Sequence, residues 1–339
     1  MKNFAWATAR SLAEAAAAAD LVAEAMAAPA GGEASIVKAG GVDVVDLIKE
    51  GLLTPATVVG LRDIPGLDAI EAGADGGLRI GAMVTLARLA EHAEARRRYP
   101  ALTEALASAA SPQIRNAATL GGNLLQRPRC WYFRAAEFRC LRKGGGHCFA
   151  IPGENRYHAV FDNRLCPIVH PSTAATVLVA LGAAIELVNA DGESREVRLE
   201  DFFVSPERDV QRENDLRPRE ILAAVALPPP PASARMAHVK IAEKASFDWP
   251  LVEAAALIDF DADGRCASAS IVLGAAAPTP RRAQSAEAAL VGRRIDEDAA
   301  NAAGKAATEG AAPLSGNAYK LPLVETAVRR AVLKAAVAE

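Results

Sequence analysis

The chain has 339 residues, 51% of them hydrophobic and 23% charged, a composition that excludes disorder and suffices for two or three cored units. Its formal net charge of −3 offers no basic surface, so neither nucleic acid nor an anionic membrane is an expected partner. Five cysteines without an apolar signal core argue against a disulfide framework and leave metal ligation, redox chemistry or burial as their use.

In chain order, the alanine-rich start "MKNFAWATARSLAEAAAAADLVAEAM" is interrupted by Glu14, Asp20 and Glu24, so it is expected to form ordinary structure and not a targeting segment. From Ser35 an apolar run "SIVKAGG", a helical stretch "VDVVDLIKEG" and a second apolar run "ATVVGL" predict a βαβ-like unit. Next, "LRIGAMVTLARLAEH" predicts a strand that turns at Thr85 into an amphipathic helix, and "PALTEALASAAS" a second helix. The longest uncharged run, Cys166 to Ile185, contains Pro171, Ser172, Thr173 and Thr176, which suit a capped helix from Thr173 to about Leu181, ended by Gly182, better than a membrane span. The strand "AAIELVNADG" follows it. The four prolines Pro228 to Pro231 then mark a boundary, since neither a helix nor a central strand continues through them. Beyond them, "AHVKIAEKA" and "VEAAALIDFDADGRCASASIVLGAA", with an Asp263-Gly264 hairpin turn, predict a small sheet, and helices are expected from about Ser285. Alternating strands and helices favour an α+β or α/β architecture. Neither a G-x-G-x-x-G fingerprint nor a Walker A loop is present.

Two glycine pairs stand out. In "KAGGVD", Lys38 to Asp43, the pair Gly40-Gly41 sits between strand and helix, where consecutive N–H groups and the helix N-terminus can cradle a phosphate; a plain tight turn is the alternative. In "SPQIRNAATLGGNLLQ", Thr119, Gly121, Gly122 and Asn123 offer a hydroxyl, a bare backbone and an amide within five residues. Two such loops, some eighty residues apart, imply a cofactor held between two subdomains.

"KAGGVD" followed by "IRNAATLGGNL" resembles the paired signature of the FAD-binding subunits of molybdenum hydroxylases, the xanthine dehydrogenase and aldehyde oxidoreductase family. The similarity extends through "KIAEKASFDWPLVEAAALI" and "SIVLGAAAPTPRRAQSAEAALVG" and spans about Phe4 to Leu333. It implies an α+β fold: a p-cresol methylhydroxylase-type FAD-binding domain over 1–228, with subdomains of about 1–60 and 61–228 and a cysteine-bearing insertion at 126–170. A C-terminal flavoprotein domain, a three-stranded sheet with helices, would occupy 235–339. By the same resemblance Lys38, Ala39, Gly40, Gly41, Val42, Asp43 and Val44 surround the FAD pyrophosphate. Ser111, Ile114, Arg115, Asn116, Thr119, Gly122 and Asn123 line the opposite wall. Thr173 stands where the family often carries aspartate, and its hydroxyl can still bond a flavin hydroxyl. Lys240 matches a lysine that approaches the flavin ring, where a cation favours the anionic reduced form; the other reading is a solvated strand residue.

Four of the cysteines, Cys130, Cys140, Cys148 and Cys166, fall within 37 residues, separated by nine, seven and seventeen others. That spacing is unlike a C-x-x-C box and leaves buried thiols, structural zinc and an iron–sulfur cluster open. Arg127, Arg129, Arg134, Arg139, Arg142 and Lys143 would offset the charge of a thiolate-bound centre, and Gly144 to Gly146 would bring N–H groups near sulfur. The resemblance of "QRPRCWYF" and the later cysteines to the subgroup that includes bacterial aldehyde oxidoreductase and 4-hydroxybenzoyl-CoA reductase implies a [4Fe–4S] cluster. His147, His158 and His170 are expected to be structural, and Cys266 to be a small buried hydrophobe.

The resemblance thus implies an FAD-binding electron-transfer subunit with no nucleophile or general base of its own. Molybdopterin would lie on a large partner subunit, [2Fe–2S] centres on a small one, and an external acceptor would meet the flavin. A free-standing FAD oxidase or dehydrogenase of the same fold is the alternative. Its expected place is the cytoplasm, or the periplasm through co-export with a signal-bearing partner.

Overall fold

A computed structural model describes residues 2–27, 33–73, 75–244 and 246–337. Three sheets organise them. The first is parallel, with β1 (Ala5–Thr8), β2 (Ser35–Lys38) and β3 (Thr57–Gly60) in the order β1-β3-β2. The crossover from β2 to β3 is the helix Val42–Lys49, as the apolar–helical–apolar pattern predicts. The second sheet is antiparallel, from β4 (Ile70–Ala72), β5 (Leu78–Gly81), β6 (Ala184–Asn189), β7 (Ser194–Arg198) and β8 (Glu220–Leu227), in the order β4-β5-β8-β6-β7. The third joins β9 (Arg235–Ile241), β10 (Val252–Phe260), β11 (Cys266–Gly274) and β12 (Arg281–Arg282), in the order β12-β11-β10-β9.

Local chemistry sets several ends. Thr85 caps the helix Leu86–Glu91 by accepting from Arg88 N at 3.2 Å, so the strand-to-helix change falls where the threonine predicts it. Ser172 caps Thr173–Ala180, and Gly182, at φ +71°, follows its end. The Asp-Gly hairpin closes with Asp261 accepting from the N–H groups of Asp263 and Arg265. One expectation is corrected: the C-terminal sheet has four strands, because Arg281 and Arg282 pair with Leu273 and Val272. A two-residue strand carries no alternation that a sequence can display.

The alanine excess has a packing use. Ala15, Ala16 and Ala19 are buried against Val188, Ile221 and Ala223 of the second sheet, where small side chains let helix and sheet approach closely. The third sheet is buried on both faces. Ala237, Val252, Ala254 and Ala256 meet the C-terminal helices, including Lys320–Val337, while Met236, Ala255 and Val272 on the other face join the core of the second sheet and its helices. The cysteine-bearing segment 126–170 is mostly irregular. It reaches the first sheet through Phe133 and Cys140 and the C-terminal core through Val160 and Phe161. Among the described residues, no helix is long and apolar enough to cross a membrane.

Candidate functional site

Where the three sheets meet, an open cleft lies between them. Its first wall is the turn after β2. Gly41 sits at φ +84°, a left-handed conformation that a side chain would strain, and caps the helix Val42–Lys49, whose first-turn N–H groups have no intrahelical acceptor. Gly40 is constrained differently: a Cβ there would overlap the carbonyl oxygen of Ala117 and stand 2.9 Å from its carbon and 3.4 Å from Ala118 Cα. The two glycine loops therefore touch, backbone against backbone, at the floor of one cleft.

The second wall is held by its own caps. Ser111 Oγ accepts from Ile114 N at 3.3 Å and Thr119 Oγ1 from Gly122 N at 3.2 Å, so these hydroxyls shape the loop as well as line the cleft. Asn123 Oδ1 accepts from Ser172 Oγ at 2.6 Å, tying this wall to the helix that begins with Thr173. Lys240 enters from β9, half-buried, and donates to Ser108 O at 3.0 Å; burial pushes its ammonium below the ordinary lysine range.

Of the residues singled out from sequence, Ala39, Gly40, Gly41, Val42, Asp43, Val44, Ser111, Ile114, Thr119, Gly122, Asn123, Thr173 and Lys240 line this cleft. Lys38, Arg115 and Asn116 stand outside its lining. The Lys38 ammonium lies 5.8 Å from the centre of the Trp6 ring, and Asn116 is exposed. Arg115 donates to Ala109 O at 3.0 Å and Ala110 O at 2.7 Å, holding a turn whose residues do face the cleft. Sequence reasoning assigned no role to Phe247 and Trp249, which reach the cleft from the β9–β10 loop and are 59% and 54% exposed. The available signal was two large aromatics between strands, with no packing partner in the pattern.

The four clustered cysteines converge. Cys130, Cys140, Cys148 and Cys166 line one small cavity, together with Tyr132, Phe133, Phe149, Arg142 and His158. All are free thiols, and burial pushes Cys130 up to about 12 and raises Cys148. Thiols so placed are poor nucleophiles. Among the described residues no three His, Cys, Asp or Glu side chains lie close enough to hold a single metal ion. The donors ring a space instead of meeting at a point. His158 Nε2 lies 3.2 Å from Cys130 Sγ. Cys266 lies apart from this cavity, buried, with its thiol toward Ser268 O at 3.4 Å.

Cleft and cavity are joined by charge. Asp43, on the first turn beyond the Gly40-Gly41 pair, accepts from Arg127 N at 2.8 Å and pairs with Arg129 at 2.6 Å and Arg134 at 2.7 Å. Its carboxylate thus docks the cysteine-bearing segment onto the first glycine loop. A second link is fully buried: Glu213 Oε1 pairs with Arg142 Nη1 at 2.6 Å and Arg127 Nη2 at 3.0 Å. No local pattern announces partners 71 and 86 residues apart.

Known proteins place this arrangement. Residues 2–230 match the family model described as the FAD binding domain in molybdopterin dehydrogenase, and residues 237–335 the CO dehydrogenase flavoprotein C-terminal domain. The aldehyde oxidoreductase FAD-binding subunit PaoB of Escherichia coli (strain K12) is 37% identical over 289 residues, 85% of this chain and 87% of that one. The carbon monoxide dehydrogenase medium chain of Afipia carboxidovorans is 30% identical over 309 residues, 90% of each. In three dimensions, a chain of reconstituted CO dehydrogenase from Oligotropha carboxidovorans superposes with a TM-score of 0.75 at 27% identity, covering 99% of this chain and 98% of that one. With both halves matched, the two glycine loops closing on one cleft and the C-terminal sheet supplying its far side, this chain belongs to the FAD-binding medium-subunit family of the molybdenum hydroxylases.

Proposed function

We propose that this chain is the FAD-carrying electron-transfer subunit of a multi-subunit molybdenum hydroxylase whose substrates are aldehydes. The observation that carries the reading is the backbone contact of two glycine loops, remote in sequence, on one open cleft that all three sheets line. When bound, FAD supplies a carrier that exchanges electrons singly or in pairs. The chain's own residues position it. Gly40, Gly41 and the first turn of Val42–Lys49 offer N–H groups and a positive helix end to the diphosphate; Ser111, Thr119, Gly122, Asn123 and Thr173 supply the facing wall. Lys240 brings a cation on a strand anchored in two cores, where it favours a reduced, anionic ring. No general base is required. Residues 1–228 form the FAD-binding unit in this reading and 235–339 the second, each contributing walls to the cleft. A molybdopterin-bearing large subunit and a [2Fe–2S] small subunit are the proposed partners, with an external acceptor at the flavin.

The cysteine cavity is proposed to hold a [4Fe–4S] cluster. Tetrahedral zinc at about 2.3 Å from each sulfur would draw four thiolates to within roughly 4 Å of one another, whereas a polynuclear centre needs ligands spread around a space. The four thiols around one cavity favour the second, as do the buried guanidinium beside Cys166 and the aromatic rings that exclude water. The test is purification with the co-expressed partners, followed by absorbance and metal analysis. Flavin bands, a broad shoulder bleached by dithionite, and about four irons with matching labile sulfide per chain are expected. A colourless protein containing zinc would eliminate the reading.

A further inference from the structure

We propose that Arg142 and Glu213 form a charge-coupling pair that sets the reduction potential of the group held in the cysteine cavity and transmits that group's charge to the flavin cleft. The inference rests on reading the cavity as a cluster site. Arg142, Arg127 and Glu213 are 1%, 3% and 5% exposed, and both guanidiniums share the single oxygen Oε1. Two cations on one carboxylate leave one positive charge in a dry environment, a costly arrangement unless an anion completes it. Arg127 is further occupied by the Gln211 carbonyl at 2.7 Å. Arg142 Nη1 likewise donates to Arg212 O at 3.2 Å, but two of its nitrogens, Nε and Nη2, are buried with no hydrogen-bond partner, against one, Nε, on Arg127, and only the Arg142 side chain lines the cavity alongside Cys166.

The missing anion is therefore expected on the cavity side. Protonated thiols do not supply it; thiolates bound to iron do, and reduction of such a centre adds one electron and one unit of negative charge beside the guanidinium. At its other end the pair reaches the cleft, because Glu213 belongs to the cleft lining while Arg142 belongs to the cavity lining. Every charge change in the cavity is thus one shared carboxylate away from the flavin site.

The test is an EPR-monitored redox titration of the intact complex, using Arg142→Gln, Glu213→Gln and Arg142→Lys, with flavin and iron contents measured on each preparation. Arg142→Gln should make the iron centre about tenfold harder to reduce, about 59 mV for one electron. Glu213→Gln should shift it by a similar factor the opposite way and also raise the flavin potential. Arg142→Lys, which keeps the charge, should stay near the parent. Opposite signs are what a merely structural pair does not produce. Shifts of the same sign, or unmoved potentials in iron-loaded protein, overturn the inference alone. Should Arg142→Gln lose its iron, retention by Arg142→Lys supports the charge role and loss by both overturns it. A parent complex without iron in this chain overturns the cluster reading itself, and the inference with it.

Discussion

Replacing Gly40 with alanine tests the contact on which the cleft depends. The substitution adds one methyl at a residue with no unusual backbone angle, so its effect is steric. That methyl would lie 2.9 Å from the Ala117 carbonyl carbon and closer still to its oxygen, with Ala118 Cα at 3.4 Å. Ordinary carbon–carbon contact is about 3.5–4.0 Å, and the obstructing atoms are backbone, which has no rotamer to change. The loops must part by on the order of 1 Å, at an overpacking cost of about 1–3 kcal/mol. If the diphosphate is gripped by both loops, most of that cost falls on the bound state, and FAD affinity drops about 10- to 100-fold at 1.4 kcal/mol per decade. Gly122→Ala is the graded comparison: its methyl meets only side chains, the Thr119 hydroxyl at 3.0 Å and Ala39 Cβ at 4.0 Å, and a smaller loss is expected. Flavin-to-protein ratio after gel filtration, and fluorescence titration of stripped protein with FAD, measure both. FAD binding by Gly40→Ala at parental affinity would refute the reasoning, as would an inverted order of the two variants.

Three other predictions concern the same architecture. Serine at Cys130, Cys140, Cys148 or Cys166 should each lower bound iron and the broad visible absorbance while FAD content stays near parental; serine at Cys266 should leave iron untouched, and equal iron loss there would count against the cavity as the site. Lys240→Met should lower the flavin midpoint potential in a spectroelectrochemical titration, because a cation in the cleft is removed; an unchanged potential would return Lys240 to the role of a strand residue. Lys320 is fully buried and donates to Ala275 O at 2.6 Å and His158 O at 3.1 Å, with its pKa pushed down to about 7 by burial. The folded chain therefore holds this proton less tightly than the unfolded one. Stability is penalised in full below about 7 and should rise with pH from there toward 10.5, by at most about 1.4 kcal/mol per unit. Lys320→Met should flatten that segment of a pH series of urea midpoints; a profile that keeps its slope would rule out Lys320 as its source.

Much of this was legible because it is local. The glycine pair before Val42–Lys49, the threonine at the start of Leu86–Glu91 and the Asp-Gly turn each carry their instruction within a few residues, since backbone angles and caps are short-range effects. The resemblance added which loops should meet, and Gly40 against Ala117 is that meeting. The β9–β10 aromatics, the pairing of Arg281 and Arg282 and the turn-holding role of Arg115 were not legible, because each depends on which distant surface lies opposite.

From its sequence alone, then, this chain declares an α+β fold, two phosphate-suited turns and a knot of four thiols, all properties written in residue types and their spacing. Only the tertiary structure decides that the thiols ring a cavity instead of closing on a point. It likewise decides that Asp43 faces Arg129 and Arg134 of the cysteine-bearing segment and that Glu213 is shared by two buried guanidiniums. Such pairings join residues 71 to 91 positions apart, and burial, not pattern, makes their charges count.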